Sequence, residues 1–420
     1  MEAHRRTPGS QTSLREANRG RIVDAVKKYG GLSQIELAGL TGLSPATVSN
    51  IVKELSGAGV LTTAPGTRSG RRAQNVTLAH ALGLVAGVHY STRHLRIAVS
   101  DASYTVVAET HMPLAKDHRA DSELDRLTLL LADMLETAGA GMLDLLAVGV
   151  ALPAPVDQRT GTVARRGILR GWDGVEVADV LQRSLKRPVF VDTDANAAAL
   201  GELRMGAARG KNDVVYVDVG DRIGAGLVLG GRVYSGHGGM AGELGHTVIQ
   251  EDGPPCECGN RGCVQAIAGG NALIQKLQTG NRGLKLQDVI VRAMAGDSDA
   301  IRAIADAGTA IGVATANLCN LLDPERLVIG GELGRAGELL LGPMRREVER
   351  AVLAGARFAP EIVQSQLGQN ASAMGAMAMA VDRVSLNADE TQISTTQIPT
   401  TQIATSQIAT SQIAAEEIRE

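Results

Sequence analysis

Three cysteines and one histidine in the middle of the chain carry the clearest chemistry in the sequence. Cys256, Cys258 and Cys263 lie within the eight residues of "CECGNRGC", on glycine-containing turns, and His246 lies ten residues upstream. One His and three Cys make a closed tetrahedral zinc set of the structural kind. The spacing Cys-x-Cys-x4-Cys is not a common finger spacing, so free buried thiols or a redox pair stay open on spacing alone. The fourth cysteine, Cys319, lies in the helical segment "IGVATANLCNLLDP" and is predicted to be a core residue.

A second candidate site is the glycine-rich segment "GDRIGAGLVLGGRVYSGHGGMAGELGH", from Gly220 to His246. A valine-rich strand runs into a turn with closely spaced glycines, and such a turn can bring backbone N–H groups close to a phosphate. Asp221 and Arg222 lie at the tip of this turn, where a phosphate loop favours a small hydroxyl residue and another glycine. A carboxylate there would repel a phosphate. The segment therefore raises the question of whether the protein is a kinase or is built on a kinase's frame.

The elements that position these residues come from a chain of 420 residues, enough for two or three domains. Charged residues make up 21% and apolar residues 44%, as in an ordinary globular protein, and aromatic residues only 2%, so aliphatic side chains must form the cores. No uncharged apolar run approaches the roughly 18 residues that span a bilayer. The N-terminus lacks the apolar region of a secretory signal, and four cysteines do not suggest a disulfide framework. We expect a cytoplasmic protein with no membrane partner.

Charge is distributed unevenly along the chain. The net charge is −3, but residues 1–80 contain 11 Lys and Arg against 5 Asp and Glu, so the rest of the chain is acidic. A basic first fifth on an acidic body suggests a module that binds a polyanion, joined to something else. A solvated basic surface is the alternative that charge alone leaves open.

The basic segment contains two capped helices joined by a glycine. Ser33 is a predicted N-cap with Glu36 three residues on, which is a capping box, and the helix ends before Gly42. Ser44 caps the next helix, with Pro45 at its first position, where no N–H is needed. The spacing is that of a helix-turn-helix. The buried stripe of the second helix is predicted to consist of Val48, Ile51, Val52 and Leu55.

Residues on the outer side of this second helix are of the types that contact phosphates and base edges. Two short strands, 60–63 and 75–78, enclose a glycine-broken, arginine-rich loop, which is typical of a wing. Some other helical hairpin, or a solvated basic loop that touches nothing, is the alternative. The predicted DNA-binding residues are Ser44, Pro45, Thr47, Ser49, Asn50 and Lys53 on the helix, and Arg68, Arg71 and Arg72 in the wing.

From residue 82 onward predicted strands alternate with helices, which indicates α/β architecture with ligand loops at the strand ends. Here the chain resembles the ROK family (repressors, open reading frames and sugar kinases) over about residues 12–384. The resemblance is carried by "GVALPAPVD", "GWDGVEVADVL", "VDTDANAAALGE", "IGAGLVLGGRVYSGHGGMAGELGH", "CECGNRGCVQA" and "DPERLVIGGELG".

The resemblance implies an N-terminal winged helix-turn-helix followed by an actin-like two-lobed domain, with a sugar cleft between the lobes. We expect the winged helix-turn-helix at 12–80, a small lobe at 81–195 completed by a C-terminal helix at about 370–384, and a large lobe at 196–369 that contains the zinc motif. Residues 386–420 would be a low-complexity tail. Five near-identical pentads at 391–415, with many Thr and Ser, favour disorder there, and a small β-stack is the alternative.

The resemblance also implies roles in the cleft. Glu243 and His246 would bind the hydroxyl groups of a sugar, with one ring nitrogen of His246 on structural zinc and the other facing the cleft. Asp194 matches the catalytic base of the kinases, and Gln265 stands where the kinases have Glu. Two further departures are Thr193 and Ile168, each in place of an Asn.

The phosphate-binding loops depart more from the pattern. The first, at 87–96, has neither the family's Asp nor its glycine pair, and the second, Gly-Thr-Gly-Ile-Gly in the kinases, reads Gly-Asp-Arg-Ile-Gly at 220–224. Phosphoryl transfer depends on positioned charge around the phosphates and their metal, so we expect no kinase activity.

The sequence therefore predicts a transcriptional regulator, most simply a repressor of carbohydrate-related genes, that responds to a sugar or sugar derivative. It would bind double-stranded operator DNA as a homodimer or a dimer of dimers, with half-sites about one helical turn (~34 Å) apart. A bifunctional sugar kinase with a DNA-binding head, and a regulator that responds to no ligand, are the alternatives.

Overall fold

The computed structural model describes residues 11–68, 71–115, 118–163, 169, 171–278, 283–353 and 360–384. Two expectations fall outside these residues: Ile168 in place of an Asn, and the C-terminal tail at 386–420. The side chains of the wing arginines, Arg68, Arg71 and Arg72, are also outside the described part. Within the described residues, no helix is both long and apolar enough to cross a membrane.

The N-terminal segment folds as a winged helix-turn-helix, as expected. Ser33 accepts the N–H of Glu36 while the Glu36 carboxylate accepts the N–H of Ser33, so the capping box is confirmed. Gly42 ends the helix in the left-handed region at φ 69°, which a glycine adopts without strain. The elements are α1 (Gln11–Tyr29), β1 (Leu32–Ser33), α2 (Gln34–Thr41), α3 (Pro45–Gly57), β2 (Leu61–Arg68) and β3 (Arg71–Leu78).

The wing hairpin is longer than the sequence predicts. Instead of two four-residue strands around a loop, β2 and β3 pair without interruption from Leu61 opposite Leu78 to Arg68 opposite Arg71. Pro65 and Gly66 are tolerated because β2 is an edge strand, in a sheet of order β1-β3-β2. The predicted basic loop is therefore the outer half of the hairpin.

The body contains two further sheets, each of five strands. The first has the order β10-β7-β4-β5-β6 and the second the order β13-β12-β11-β14-β15. The small-lobe elements are β4 (Leu84–Tyr90), β5 (His94–Asp101), β6 (Val106–Pro113), α4 (Ala120–Thr137), β7 (Leu145–Leu152), β8 (Val156–Asp157), β9 (Thr162–Val163), α5 (Val177–Leu185) and β10 (Val189–Thr193).

The second sheet belongs to the large lobe. Its elements are α6 (Asp194–Met205), β11 (Val214–Val219), β12 (Ile223–Leu229), β13 (Arg232–Val233), α7 (Val264–Ala268), α8 (Gly270–Leu277), α9 (Leu286–Met294), α10 (Ser298–Leu322), β14 (Arg326–Gly330), α11 (Gly331–Gly334), α12 (Glu338–Ala351) and β15 (Glu361–Gln364). The last helix of the described chain is α13 (Ala371–Arg383). Cys319 is buried in α10, as predicted.

The two sheets share one topology. In each, the first strand to enter the sheet pairs antiparallel with the second on one side and parallel with the fourth on the other. This repeated arrangement is typical of a duplicated, two-lobed domain. It places the carboxyl ends of β4, β10 and β11 at the same cleft. Ligands of α/β sheets bind outside the carboxyl ends of the strands, so the topology marks the cleft as the site.

The C-terminal helix α13 returns to the small lobe and packs against α6. The backbones touch: a Cβ at Gly149 of β7 would meet the Ala376 carbonyl oxygen, and one at Gly375 would meet the Ala197 carbonyl oxygen. Only glycine fits at such contacts, and both close approaches fix α13 against the elements that reach the cleft.

The winged helix-turn-helix packs on the back of the small lobe. Ile22 and Val26 of α1 share a core with Met377 and Val381 of α13. The buried Lys27 ammonium donates to the carbonyl oxygen of Val384, just after α13, at 2.7 Å. The DNA-binding segment is therefore joined to the body by packed apolar side chains and one buried hydrogen bond.

Candidate functional site

The predicted metal ligands come together in the structure. One ligand atom from each of His246, Cys256, Cys258 and Cys263 lies within 4.8 Å of all the others. Cys256 Sγ is 3.5 Å from His246 Nδ1, and the Sγ atoms of Cys258 and Cys263 are 3.7 Å apart. These separations match the edges of a tetrahedron with Zn–S bonds of about 2.3 Å and Zn–N bonds of about 2.0 Å. The residues present can hold a metal ion.

The chemistry of the cluster also fits a metal. Burial and the neighbouring thiols raise the pKa of the Cys263 thiol to about 12, because three sulfur atoms in one apolar pocket cannot all ionise without a cation. With Nδ1 facing the sulfur atoms, Nε2 of His246 is left on the other side of the ring, where it lies 3.9 Å from the Glu243 carboxylate. A metal on Nδ1 would fix the orientation of this ring.

The cleft beside this cluster is a polar cavity of about 260 Å³. Its wall is built from the end of β7, the start of α6, the β11–β12 strands and the metal loop. It brings together all four predicted effector residues, Asp194, Glu243, His246 and Gln265.

Asp194 is the first residue of α6, and its position is fixed by the cap before it. The Thr193 hydroxyl oxygen accepts the N–H of Asn196 at 3.1 Å. The Asn196 amide in turn donates to Asp192 at 2.8 Å. Threonine therefore keeps the helix start in place, although it presents no amide to a ligand.

Asp194 faces a second carboxylate that the sequence analysis missed. Asp218, on β11, lines the same cleft. Burial and then the charge of Asp218 raise the pKa of Asp194 to about 8, and burial raises that of Asp218 to about 6. Both carboxylates are half-buried in the same cavity, and a negative charge on Asp218 makes Asp194 harder to ionise. A charged residue in the apolar strand "VVYVDV" was the signal for Asp218.

Gln265 lines the cleft, but its amide already holds the altered loop. Its Oε1 accepts the N–H of Ile223 at 2.7 Å, and its Nε2 donates to the carbonyl oxygen of Asp221 at 3.0 Å. The residue thus ties the turn at 220–223 to α7, behind the metal loop.

The same turn reaches across to the small lobe. The Asp221 carboxylate pairs with Arg93, in the β4–β5 turn, at 3.2 Å. Arg222 donates to the Pro153 carbonyl oxygen at 3.4 Å and lies 3.6 Å from the Glu257 carboxylate of the metal loop. The two charged residues at the tip of this turn therefore contact the opposite lobe and the metal loop.

The predicted DNA-binding residues of the helix lie on one face of α3. Val48, Ile51, Val52 and Leu55 are buried against the other helices, as predicted. Ser44 caps α3 by accepting the N–H of Thr47 at 3.1 Å. The opposite side, which is open to solvent, presents Ser44, Pro45, Ser49, Asn50 and Lys53, with Thr47 half-buried.

The fold and the site together define a class of protein. A winged helix-turn-helix is packed on a duplicated two-lobed α/β domain, which has a polar cleft between its lobes and a cluster of one His and three Cys beside it. Such a molecule is a DNA-binding module joined to a small-molecule-binding domain of the sugar-kinase type.

Comparison with known proteins identifies the family. Residues 85–383 match the ROK family, and residues 15–62 match the winged helix-turn-helix DNA-binding family. The chain is 30% identical over 406 residues to the DNA-binding transcriptional dual regulator NagC of Escherichia coli K12, covering 91% of this chain and 97% of NagC. It is 28% identical over 374 residues to the xylose repressor of Bacillus subtilis 168, covering 89% and 97% of the two chains. The chain belongs to the ROK family.

Solved structures agree with this fold. A ROK family transcriptional regulator, a homolog of the E. coli MLC protein, superposes with a TM-score of 0.72 at 24% identity, covering 88% of this chain and 97% of that chain. A ROK family glucokinase from Streptomyces griseus, in complex with glucose and AMPPNP, superposes with a TM-score of 0.63 at 28% identity, covering 71% and 99%. The expected fold, a winged helix-turn-helix on an actin-like ROK domain, is confirmed.

Proposed function

We propose that this protein is a transcriptional repressor of carbohydrate-related genes, controlled by a sugar or sugar derivative in the cleft. One observation carries the proposal: in a single chain, a winged helix-turn-helix packs through α1 on a domain of the sugar-kinase type whose turn at 220–224 carries Asp221 and Arg222. The relatives named above are regulators that this chain matches over nearly their full length.

The DNA side of the proposal rests on α3. Its polar face is exposed and its apolar face is buried, so Ser44, Pro45, Thr47, Ser49, Asn50 and Lys53 are free to enter a major groove. Arg68, Arg71 and Arg72 flank the tip of the hairpin, where they would contact the phosphate backbone or a minor groove. The proposed partner of this segment is operator DNA, and the protein would act in the cytoplasm.

The sugar side rests on Asp194, Glu243, His246 and Gln265. Carboxylates and an imidazole can accept and donate hydrogen bonds to the hydroxyl groups of one ring, and the cavity of about 260 Å³ would enclose such a ring. We propose that zinc, held by His246, Cys256, Cys258 and Cys263, orients His246 toward this ring. The metal would supply structure and no chemistry.

Phosphoryl transfer is not part of the proposed function. Asp221 and Arg222 stand where the resemblance places residues of the nucleotide loop, and the Asp221 carboxylate is paired with Arg93 of the small lobe. Asp194 favours the alternative of a bifunctional kinase, because its raised pKa of about 8 suits a base that accepts a hydroxyl proton. Turnover of ATP with any sugar would establish that alternative.

The proposed domains are a winged helix-turn-helix at 12–80, a small lobe at 81–195 completed by the C-terminal helix at about 370–384, and a large lobe at 196–369. We propose that two such chains, or a dimer of dimers, bind a pseudo-palindromic operator. An effector that binds one arrangement of the lobes better than the other would favour that arrangement and change the spacing of the two DNA-binding segments. The effector site and the DNA-binding site would then be coupled.

Fluorescence anisotropy with the DNA upstream of the protein's own gene tests the proposal. We expect specific binding at fixed salt, and a several-fold change in affinity with one compound from a panel of sugars and sugar phosphates. Lys53→Ala should weaken binding to all sequences and lower the salt slope by about 1, while Asn50→Ala should relax sequence preference. Arg183→Ala, which removes one exposed charge from α5 in the body, is the matched control.

The outcomes separate the alternatives. Specific DNA binding that no compound changes would favour a ligand-independent regulator. Absence of specific DNA binding would contradict the main proposal. ATP turnover would then test the kinase alternative.

A further inference from the structure

One cysteine of the metal cluster is open to the effector cavity. Cys258 is half-buried and lines the cavity of about 260 Å³, as His246 does. Cys256 and Cys263 are buried, with 9% and 0% of their surface exposed. A small molecule that enters the cleft can therefore reach Cys258, whereas the other two cysteines of the cluster are shielded from it.

A second sulfur atom lies close to the accessible one. The Sγ atoms of Cys258 and Cys263 are 3.7 Å apart. Since an S–S bond is about 2.0 Å long, the two atoms must approach each other by about 1.7 Å to form a disulfide. The described residues 258–263 lie outside the helices and regular strands, so this movement requires none of these elements to break.

The two remaining cysteines are less suited to react with a molecule in the cleft. Cys256 is buried, and its Sγ faces His246 Nδ1 at 3.5 Å. Cys319 is buried in α10 and is not one of the four residues of the metal cluster. Cys258 is therefore the cysteine at which a reagent from the cleft would react first.

The charges around Cys258 favour a neutral reagent. Glu243 and Glu257 line the same cavity, and the Arg222 guanidinium lies 3.6 Å from the Glu257 carboxylate. An anionic oxidant would be repelled by these carboxylates, whereas a hydroperoxide is uncharged near neutral pH and is not repelled. Exposure and thiolate character decide which cysteine a peroxide oxidises, and Cys258 has the exposure.

We propose that Cys258 is a site of oxidative modification. A neutral hydroperoxide that enters through the effector cavity converts Cys258 and Cys263 to a disulfide, and the metal ion is released. A cysteine that binds zinc does so as the thiolate, which is also the form that attacks a peroxide. Because a metal ligand must be a thiolate, the disulfide removes two of the four ligands at once.

The two sulfur atoms together lose two electrons in this reaction. The Cys258 sulfur attacks one oxygen of hydrogen peroxide, so that an S–O bond forms, the O–O bond breaks, and the departing hydroxide takes up a proton and leaves as water. The Cys263 sulfur then attacks the sulfenic sulfur of Cys258. The S–S bond forms, the S–O bond breaks, and the second oxygen leaves as water with another proton. The hydroperoxide gains both electrons, and zinc leaves as Zn²⁺ with its charge unchanged.

Loss of the metal would change the effector cavity, because His246 belongs to both sites. Without a metal on Nδ1, the ring that places Nε2 at 3.9 Å from the Glu243 carboxylate is no longer fixed. The oxidised protein would therefore bind its effector more weakly. This consequence rests on the proposed function, whereas the oxidation itself does not.

Oxidation of the purified full chain without DNA tests the proposal, so the result does not depend on a role in transcription. An excess of hydrogen peroxide is added to the zinc-loaded protein, released zinc is followed with a colorimetric chelator, and unreacted thiols are alkylated before digestion with trypsin.

Trypsin cleaves after Arg261, between Cys258 and Cys263, so a disulfide between these two residues links two peptides. Fragmentation of the linked pair in the mass spectrometer distinguishes Cys258 from Cys256. We expect the Cys258–Cys263 link, with about one zinc ion released for each disulfide formed. Reduction followed by addition of zinc should restore the thiols and the bound metal.

Two carboxylate variants test whether the reagent arrives through the cavity. Glu257→Gln removes a negative charge next to Cys258, so it should raise the rate of disulfide formation by anionic peroxymonosulfate about two- to five-fold relative to the rate with hydrogen peroxide. Glu251→Gln, which changes an exposed carboxylate of the same loop outside the cavity lining, is the matched control and should leave this ratio unchanged. Cys319→Ser should react as the wild type does.

Three outcomes would overturn the proposal. The first is intact thiols and fully retained zinc in an excess of hydrogen peroxide. The second is a disulfide that joins Cys263 to Cys256 instead of Cys258. The third is an equal effect of Glu257→Gln and Glu251→Gln on the two rates, which would show that the reagent does not reach Cys258 through the cavity.

Discussion

Asp194 is the residue whose environment differs most from that of an ordinary carboxylate. Its pKa of about 8 in the folded chain lies far above the value near 3.9 of an unfolded chain. Between these two pH values the folded protein holds a proton that the unfolded protein has lost, so stability must fall as pH rises through this window. We expect the wild-type free energy of unfolding to drop by roughly 1–3 kcal/mol between pH 5 and pH 8 on this account.

Asp194→Asn should remove most of that drop, because an amide mimics the protonated acid and does not titrate. Urea unfolding at a series of pH values measures it, with Asp133→Asn, an exposed carboxylate on α4, as the control. Parallel stability profiles for the wild type and Asp194→Asn would show that the raised pKa is not a property of the folded state.

Individual residues were predictable from the sequence where one short segment carries the signal. The metal cluster is confined to residues 246–263, so type and spacing were enough to assemble it. The single charged residue in the apolar strand at 214–219 was a signal for Asp218, but the cavity that Asp218 shares with Asp194 depends on which strands pair. The order β7-β4-β5-β6, and the facing of the two sheets, are long-range results of packing that no local pattern encodes.

At the scale of elements, the metal loop is a segment with little secondary structure of its own. Between β13 and α7 the described chain has one short turn of helix, Leu244–His246, and two isolated bridges. Such a loop needs a cross-link, and the four ligands provide one. We expect the purified protein to contain about one zinc ion per chain, and Cys258→Ser to lose it and to lower the free energy of unfolding by roughly 2–4 kcal/mol.

Metal analysis by mass spectrometry, together with thermal melting, measures both effects. Cys319→Ser is the matched control, because it changes a buried cysteine of α10 that is not one of the four ligands, and it should keep the metal. Zinc retained in full by Cys258→Ser would contradict the assignment of this ligand.

The elements of the DNA-binding segment were predicted best, since helix caps are local. Ser33, Gly42 and Ser44 act in the structure as their sequence context indicated. The apolar residues of α2 do not all face the core. Ile35 is 83% exposed and Leu40 50% exposed, and only Leu37 is fully buried. The helix α2 is too short for the spacing of its apolar residues to identify its buried face. The wing strands β2 and β3 extend beyond their apolar residues, because backbone hydrogen bonds alone can continue a hairpin.

At the scale of the whole molecule, the lobes are joined across the cleft by the Arg93–Asp221 ion pair. Both side chains are partly exposed, so the pair contributes at most about 1 kcal/mol. We expect Arg93→Asp and Asp221→Arg each to favour an open cleft and to weaken effector binding by about two- to five-fold. The double swap should recover most of that loss. Effector titrations of the four proteins form a double-mutant cycle.

The matched control for this cycle is Arg119–Asp121, an ion pair with the same 3.2 Å separation that lies within the small lobe. Its swap should leave effector binding unchanged. Additive effects in the Arg93–Asp221 cycle would show that the two residues do not act together across the cleft.

The cleft is connected to the DNA-binding segment through the packed helices α6, α13 and α1. Asp194 begins α6, α6 packs backbone to backbone on α13, and α13 ends at the carbonyl that accepts the buried Lys27 ammonium of α1. Burial lowers the pKa of Lys27 even though Asp24 and Asp382 act against this shift, which shows how closely the joint is packed. A shift of α13 on effector binding must therefore move α1 with it, as long as this joint holds.

Lys27→Met should loosen that joint without removing its apolar packing. It deletes one hydrogen bond, for a cost of about 1–2 kcal/mol. We expect operator affinity without effector to stay within about two-fold, and the effector-induced change in affinity to fall several-fold, because coupling requires both sites to bias the same element. Anisotropy titrations with and without effector measure both quantities. Arg21→Met, an exposed cation on the same helix, should keep the full response. An undiminished response in Lys27→Met would mean that the signal reaches the DNA by another contact between the segment and the small lobe.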